Sequence, residues 1–395
     1  MLFLDSLFNG LSIGAVLLIA ALGLGIIFGL MGVINTAHGE LMMLGAYTTF
    51  VVQSGFKMLG DNWLEFYIIF ALPAAFLVTA GVGLILERGV IRYLYGRPLE
   101  TLLATWGVSL ILQQLVRSIS WQLTIGIALF CLLFFGGVRL IKVWRAKKMS
   151  DSAGEQIDPL RPWLVPVMLP LSLGIAWTAA AVLGQIFKLA ITKPWFGAQG
   201  VDVTAPKWLR GGMQLPGNLQ LSYTRLFIMV LTILCVIGIY LFLNRSAWGL
   251  RIRSVTQNRS MSACLGIPTD KVDALTFALG SGLAGIAGCA ISLLGSVSPN
   301  TGQSYIVDAF MVVVVGGVGK IVGTIVAAGT IGTVNYLLGS GTIALLVANI
   351  KPLADFFNFF ATTSMAKVMV FALIIAFLQV RPAGMFPQKG RTVEG

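Results

Sequence analysis

Apolar runs of about 20 residues recur along the chain, set apart by short polar or basic loops, and a helix of that length crosses a hydrocarbon core of ~30 Å. In lipid the backbone must satisfy its own hydrogen bonds, which leaves helices or a closed barrel. Barrel strands alternate apolar and polar positions over ~10 residues. The runs Leu11–Ile34 and Phe227–Leu243 do not alternate. The pattern therefore predicts an all-α, polytopic membrane protein. Spans fall near residues 11–34, 39–56, 64–86, 101–119, 121–142, 163–187, 222–244, 272–295, 304–318, 321–339 and 363–380. Asp5 precedes the first run and no Lys or Arg does, so that run is expected to be a retained span rather than a secretory signal.

Two stretches interrupt the pattern: Asn35-Thr36-Ala37-His38-Gly39-Glu40 and Gly316-Gly317-Val318-Gly319-Lys320. Transporters use such breaks to line a path with freed backbone groups. No clear internal repeat accompanies them. Gly25–Gly29 and Gly319–Gly323 have GxxxG spacing, and Gly280, Gly282, Gly285 and Gly288 crowd one span. Small residues let helix backbones approach closely, which favours a compact bundle.

Composition sharpens this picture. The chain is 57% hydrophobic and 11% charged, with a mean hydropathy of +0.90. A soluble domain carries about a quarter charged residues. The net charge of +12 does not indicate nucleic acid, because the charge is sorted by loop. One set of loops holds Arg88, Arg92 and Arg97, the stretch from Arg139 to Arg161, Arg245 to Lys271, Lys320 and the last residues. These loops are predicted to be cytoplasmic, with the amino terminus outside and the carboxyl terminus inside. On that assignment the loop Arg145–Arg161 is a flexible cytoplasmic linker. The loop Ile191–Leu221 faces outside, and its Trp195 and Trp208 either sit at the lipid interface or meet a partner. Cys131, Cys235, Cys264 and Cys289 form no CxxC pair and are expected as small buried residues.

Enzymatic chemistry finds little support. A single histidine, His38, excludes a multi-histidine metal site and a triad using a second histidine. Gly319-Lys320 resembles the end of a Walker A loop, but Val314 stands where its first Gly belongs and Ile321 replaces Ser or Thr. The sequence offers no catalytic or metal-binding residues and no cofactor of its own.

His38 and Glu40 either begin a helix, with Asn35 or Thr36 as its cap, or serve a functional site at membrane depth. Glu100 and Thr101 allow the same two readings. Gln113 and Gln114 fall mid-span, where a buried amide needs a helix neighbour or a polar solute. Asp308 reads as a cap or as part of the outer mouth, the cap being the simpler. The stretch Asn244–Lys271 is long enough for a short helix along the cytoplasmic surface, ending at Gly266 and Pro268. That is the form of a docking element.

At these residues the chain resembles a known family. Gly29-Leu-Met-Gly-Val-Ile-Asn-Thr-Ala-His-Gly-Glu-Leu-Met-Met-Leu-Gly-Ala-Tyr47 is similar to the first-helix signature of bacterial branched-chain amino-acid ABC permeases. Ala263-Cys-Leu-Gly-Ile-Pro-Thr-Asp270 resembles their coupling loop, and Val315-Gly-Gly-Val-Gly-Lys320 their late Gly-rich turn. With Arg97-Pro-Leu-Glu-Thr-Leu-Leu-Ala-Thr-Trp-Gly-Val-Ser-Leu-Ile-Leu-Gln-Gln114, the urea permease branch is the nearest likeness. The resemblance covers roughly residues 1–120 and 190–390; residues 121–188 add a two-span hairpin.

It implies a permease working with a second homologous permease, two cytoplasmic ATPases that bind ATP and Mg, a periplasmic solute-binding protein and membrane lipid, without nucleic acid. Trp248, Gly249, Arg251, Arg259, Leu265 and Gly266, within the coupling loop at 244–271, are the expected docking residues. Urea needs amides and hydroxyls rather than fixed charge, and Asn35, Thr36, Thr101, Thr105, Gln113 and Gln114 supply them along the expected path. The spans hold few charges for a zwitterion, which favours urea. A branched-chain amino-acid permease, a passive urea channel and a membrane enzyme are the alternatives.

Overall fold

The computed structural model describes residues 2–120, 123–133, 136, 139, 170, 172–178, 195–196, 200–215, 219–348 and 350–386. The chain divides into two compact units, residues 1–113 with 200–395, and residues 114–199. Within the second, Leu123–Leu133 is a short apolar helix, and the Trp195 amide donates to the Ile119 carbonyl at 2.9 Å. The linker 145–161 and most of the predicted spans 121–142 and 163–187 lie outside the described residues.

The large unit is a helical membrane bundle. Its helices are α1 (Leu2–Ile26), α2 (His38–Leu59), α3 (Tyr67–Gly89), α4 (Pro98–Ser118), α5 (Tyr223–Arg245), α6 (Ala247–Gln257) and α7 (Arg259–Cys264). They continue with α8 (Thr269–Ser292), α9 (Thr301–Gly316), α10 (Ile321–Gly339), α11 (Lys351–Phe359) and α12 (Thr363–Val380). Seven helices among the described residues are long and apolar enough to cross a membrane. The 22-residue α2 and the 16-residue α9 join them in the bundle. Each predicted span outside 121–188 has its helix. The first begins at Leu2 instead of near residue 11 and ends in a π turn, Ile27–Met31. A hairpin that the all-helical pattern did not predict, Gly212–Leu215 with Leu219–Ser222, precedes α5.

The bundle is built around α8, which is buried over nearly its whole length. Apolar burial gives no drive between helices already in lipid, so close backbone contact has to supply the cohesion. A Cβ on Gly280 would fall 2.7 Å from the Gly23 carbonyl oxygen of α1, and one on Gly285 would fall 2.5 Å from that of Ala75 in α3. A Cβ on Gly288 would strike the Met42 carbonyl of α2 at 1.9 Å. The four glycines that crowd this span therefore serve different neighbours around α8, with Gly282 facing the Phe76 ring of α3. The GxxxG pairs fare differently. Gly25 makes only an ordinary contact with Val313, and Gly319 lies in a turn at φ +80°. It is Gly29 that approaches Gly319, across two elements. Leu226, Val230, Ile233, Ile237 and Leu241 of α5 are exposed, as a lipid-facing helix requires.

Contacts sort the loops between two ends. At one end Arg92 pairs with Asp270, Gly29 meets Gly319, and the Met385 amide donates to Val315 at 2.8 Å. At the other, Ser6 bonds Thr342 at 2.8 Å, Val201 bridges to Val297, and the Lys207 amide donates to Glu65 at 2.7 Å. The first end carries the basic loops. Trp208 belongs to the second, where its indole donates to the Glu65 carbonyl at 3.0 Å and its ring stands edge-on to Phe227. Among the cysteines only Cys289 is buried; Cys131 and Cys264 are exposed, because they lie on outward faces of their helices.

Candidate functional site

The break after α1 lies at membrane depth. Gly32, at φ +69°, turns the chain back, and residues 33–37 climb along the bundle without helical structure. His38, the first residue of α2, bonds the Ala20 carbonyl of α1 through Nε2 at 3.1 Å. Ala20 lies eleven residues before the end of the first helix at Met31, or about 16 Å at 1.5 Å per residue. The helix α2 thus starts well inside the bundle, where irregular backbone survives only if protein buries it or it lines a cavity. Gly39 fixes this position: a Cβ there would lie 2.4 Å from the Gly302 carbonyl of α9.

The helix α4 lies beside the climbing segment. Thr101, Thr105, Ser109 and Gln113 recur at every fourth position and form one buried face. Leu99, Leu103, Trp106 and Ile111 are exposed. Thr105 Oγ1 accepts from the Thr36 amide at 3.3 Å and shares a bond with the Thr36 hydroxyl at 3.0 Å. One turn on, Ser109 donates to Glu40 Oε1 at 3.1 Å. Asn35 Nδ2 and Gln113 Nε2 are buried with no hydrogen-bond partner.

Asn35, Thr36, Thr105 and Gln113 therefore belong to one polar seam. Thr101 does not join it, because its hydroxyl donates to the Leu94 and Arg97 carbonyls ahead of its helix. Gln114 is exposed, a step of one residue having turned it off the buried face. Asn35 and Thr36 are not caps of α2. Asn35 Oδ1 accepts from the Ala37 amide ahead of the helix, and Ala37 makes no side-chain cap. Ser109 was missed, although its fourth-position spacing from Thr101 and Thr105 was a readable signal.

At the basic end, Asn244–Lys271 folds into two short helices. Ser246 caps α6 by accepting from the Gly249 amide at 2.9 Å, and Asn258 caps α7 by accepting from Met261 at 2.9 Å. Gly266, at φ +79°, closes α7 with bonds from Gly266 to Ala263 and from Ile267 to Ser262. Leu265, Met261 and Leu250 are exposed, and the Arg251 guanidinium lies 4.8 Å over the Trp248 ring. Gly249 points inward: a Cβ there would meet the Leu243 and Phe242 carbonyls at 2.4 Å.

Arg259 also turns inward. It pairs with Asp273 at 2.7 Å, lies 4.0 Å from Asp270, and covers the Tyr95 ring at 4.8 Å. Tyr95 in turn donates to Glu87 at 3.3 Å. Burial, then the Asp273 and Glu87 carboxylates, push the Tyr95 hydroxyl far up, so it stays a donor. These groups border a cleft of about 470 Å³ lined by Leu30, Met31, Tyr95, Val255, Arg259 and Asp273. At the opposite end a cleft of about 300 Å³ is lined by Leu294, Ser296, Ser298, Thr301, Ser304 and Tyr305. Near it Asp308, two turns into α9, pairs with Lys367 of α12 at 2.8 Å and so caps nothing. No group of metal-binding side chains occurs among the described residues.

A bundle with a broken helix at mid-depth, a polar seam and a capped surface loop defines a membrane permease. Residues 6–378 match the family described as branched-chain amino acid transport system, permease component, and the chain belongs to that family. It is 26% identical over 385 residues to the high-affinity branched-chain amino acid transport system permease protein BraD of Pseudomonas aeruginosa, covering 97% of this chain and 95% of that one. It is 25% identical over 387 residues to LivH of Escherichia coli K12, a permease of the same description, with the same coverage. A shorter likeness, 31% over 125 residues, covers 29% of this chain and 39% of the ribose import permease protein RbsC of Bacillus subtilis. No solved structure matches.

Proposed function

We propose that this chain is a membrane-spanning subunit of an ATP-driven importer for branched-chain or similar aliphatic amino acids. The observation that carries the reading is the placement of Glu40 at the start of a broken helix at mid-depth, bonded by the Ser109 hydroxyl of α4. Relatives spanning nearly the whole chain are named for branched-chain amino acids, which turns the substrate away from urea. The case for urea was that the spans lack charge for a zwitterion. The buried Glu40 carboxylate removes that objection.

The working assembly pairs this subunit with a second homologous permease, two cytoplasmic ATPases holding ATP and Mg, and an external binding protein. The chain sits in the inner membrane with its basic loops cytoplasmic, its amino terminus outside and its carboxyl terminus inside. Trp248, Arg251, Met261 and Leu265 form the surface that meets an ATPase. Gly249, Gly266 and Arg259 hold that surface in place. Motion of α6 and α7 reaches the cytoplasmic cleft through Arg259, and the seam carries the solute between clefts.

The test is accumulation of radiolabelled leucine and of urea, each at micromolar concentration, in cells lacking this chain and in cells with it restored. Leucine accumulation that needs the chain and an intact Walker site in the partner ATPase supports the reading. Restoration of urea alone would overturn the substrate.

A further inference from the structure

The amino end of α2 is surrounded by polar groups that the fold itself does not use up. Asn35 Nδ2 is completely buried without a partner, and so is Gln113 Nε2 on a residue 7% exposed. Buried polar atoms nearly always find a partner, so two idle amide donors on either side of Glu40 along the seam call for an explanation. Asn35 stands just ahead of the α2 amino end, whose dipole favours a negative charge, and Gln113 lies one turn of α4 beyond Ser109. Glu40, in the first turn of that helix, supplies the opposite character, with Ser109 orienting one carboxylate oxygen. Two kinds of charge complement therefore stand together within lipid depth, where ionisable groups are costly and mark solute routes.

We propose that this first turn of α2 is the membrane-embedded recognition site for a zwitterionic α-amino acid. Glu40 takes the ammonium group and the Asn35 amide takes the carboxylate, with Gln113 bordering the site one turn of α4 beyond Ser109. The proposal rests on the amino-acid reading above and adds to it a located site with an orientation for the ligand. The site is closed in this structure. Hydroxyls make the bonds that tie α4 to the break, from Thr36, Thr105 and Ser109. Such bonds are exchangeable for bonds to a solute, so parting α4 from α2 opens the seam at little net cost.

The experiment uses the assembled importer in proteoliposomes with its binding protein. Leucine uptake is measured for the parent chain, Glu40→Gln and Glu40→Asp at matched membrane amounts. A small maleimide is applied to Gln113→Cys, and its labelling above the parent chain is followed with leucine or with urea during turnover. The expected result is a loss of about tenfold or more for Glu40→Gln, as for a lost charge-assisted bond. Partial recovery in Glu40→Asp and slower labelling with leucine but not urea are expected with it. Leucine uptake by the parent chain with unchanged Glu40→Gln transport, or with labelling indifferent to leucine, would overturn this site and leave the permease reading intact. Absence of leucine uptake by the parent chain would sink the amino-acid reading itself. Should Glu40→Gln fail to assemble, the labelling of Gln113→Cys decides alone.

Discussion

Arg259 and Asp273 meet at 2.7 Å across the cleft at the basic end, joining the first residue of α7 to the second turn of α8. The pair is unequal in its surroundings: the Arg259 side chain is 45% exposed and that of Asp273 6%. The cost of breaking it therefore falls on Asp273, left buried with its main cation gone. A fully buried pair loses ~3–5 kcal/mol when one partner is removed, and partial exposure of Arg259 lowers that to about 1–2 kcal/mol. Arg259→Ala is expected to destabilise the purified chain by that amount and to weaken uptake further, because the tie between surface loop and cleft is lost. The exchange Arg259→Asp with Asp273→Arg should regain part of both. A double-mutant cycle on thermal unfolding and uptake checks this; independent effects would mean that the pair does not couple.

Gly249 and Gly266 separate two reasons for a glycine. At Gly249 the obstacle is space, since a Cβ would sit 2.4 Å from two carbonyl oxygens at the end of α5. Gly249→Ala must shift α6, at about 1–3 kcal/mol of overpacking. At Gly266 the space is open but φ is +79°. Gly266→Ala is expected to cost ~1–2 kcal/mol through the left-handed backbone alone, and Gly266→Asn less. Uptake measured at equal membrane amounts should fall in both alanine variants and recover only in Gly266→Asn. Equal uptake in Gly266→Ala and Gly266→Asn would remove the backbone argument.

The spans outside 121–188 were legible because lipid forces long apolar helices, and only the ends escaped. The interruption at Asn35 to Glu40 was legible as a break, since polar residues between two apolar runs have few other meanings. Its depth was not, because depth depends on Gly39 meeting Gly302 and on His38 reaching Ala20, both distant in sequence. The inward turn of Arg259 was equally hidden. A basic residue in a basic loop looks solvated until Asp270, Asp273 and Tyr95 are brought beside it. Gln113 and Gln114 look alike in sequence, and the 100° step of a helix separates them.

Asp308 and Lys367 tie α9 to α12 within the bundle, with side chains 9% and 34% exposed. Removing one charge strands the other in a poor solvent. Asp308→Asn is expected to lower the chain's thermal stability by about 2–4 kcal/mol, close to the cost for a buried pair. Replacing both by apolar residues, Asp308→Leu with Lys367→Met, should restore most of it. Calorimetry of the detergent-solubilised variants decides. A double variant as unstable as Asp308→Asn would show that the carboxylate serves something besides Lys367.

Leu265 and Met261 test whether the surface loop docks an ATPase or merely turns the chain. Both are exposed, Leu265 at 76% just past the end of α7 and Met261 at 58% within it, between the Asn258 cap and Gly266. Residues so exposed contribute within about 0.5 kcal/mol to the stability of their own chain. Large apolar side chains held rigid on a polar surface are suited to a partner's pocket. Leu265→Asp should therefore leave membrane amount and thermal unfolding of the isolated chain unchanged while the ATPases no longer copurify, and uptake should be lost with them. Basic residues elsewhere in the loop remain in that variant, so a loop that only set topology would give full uptake and normal copurification.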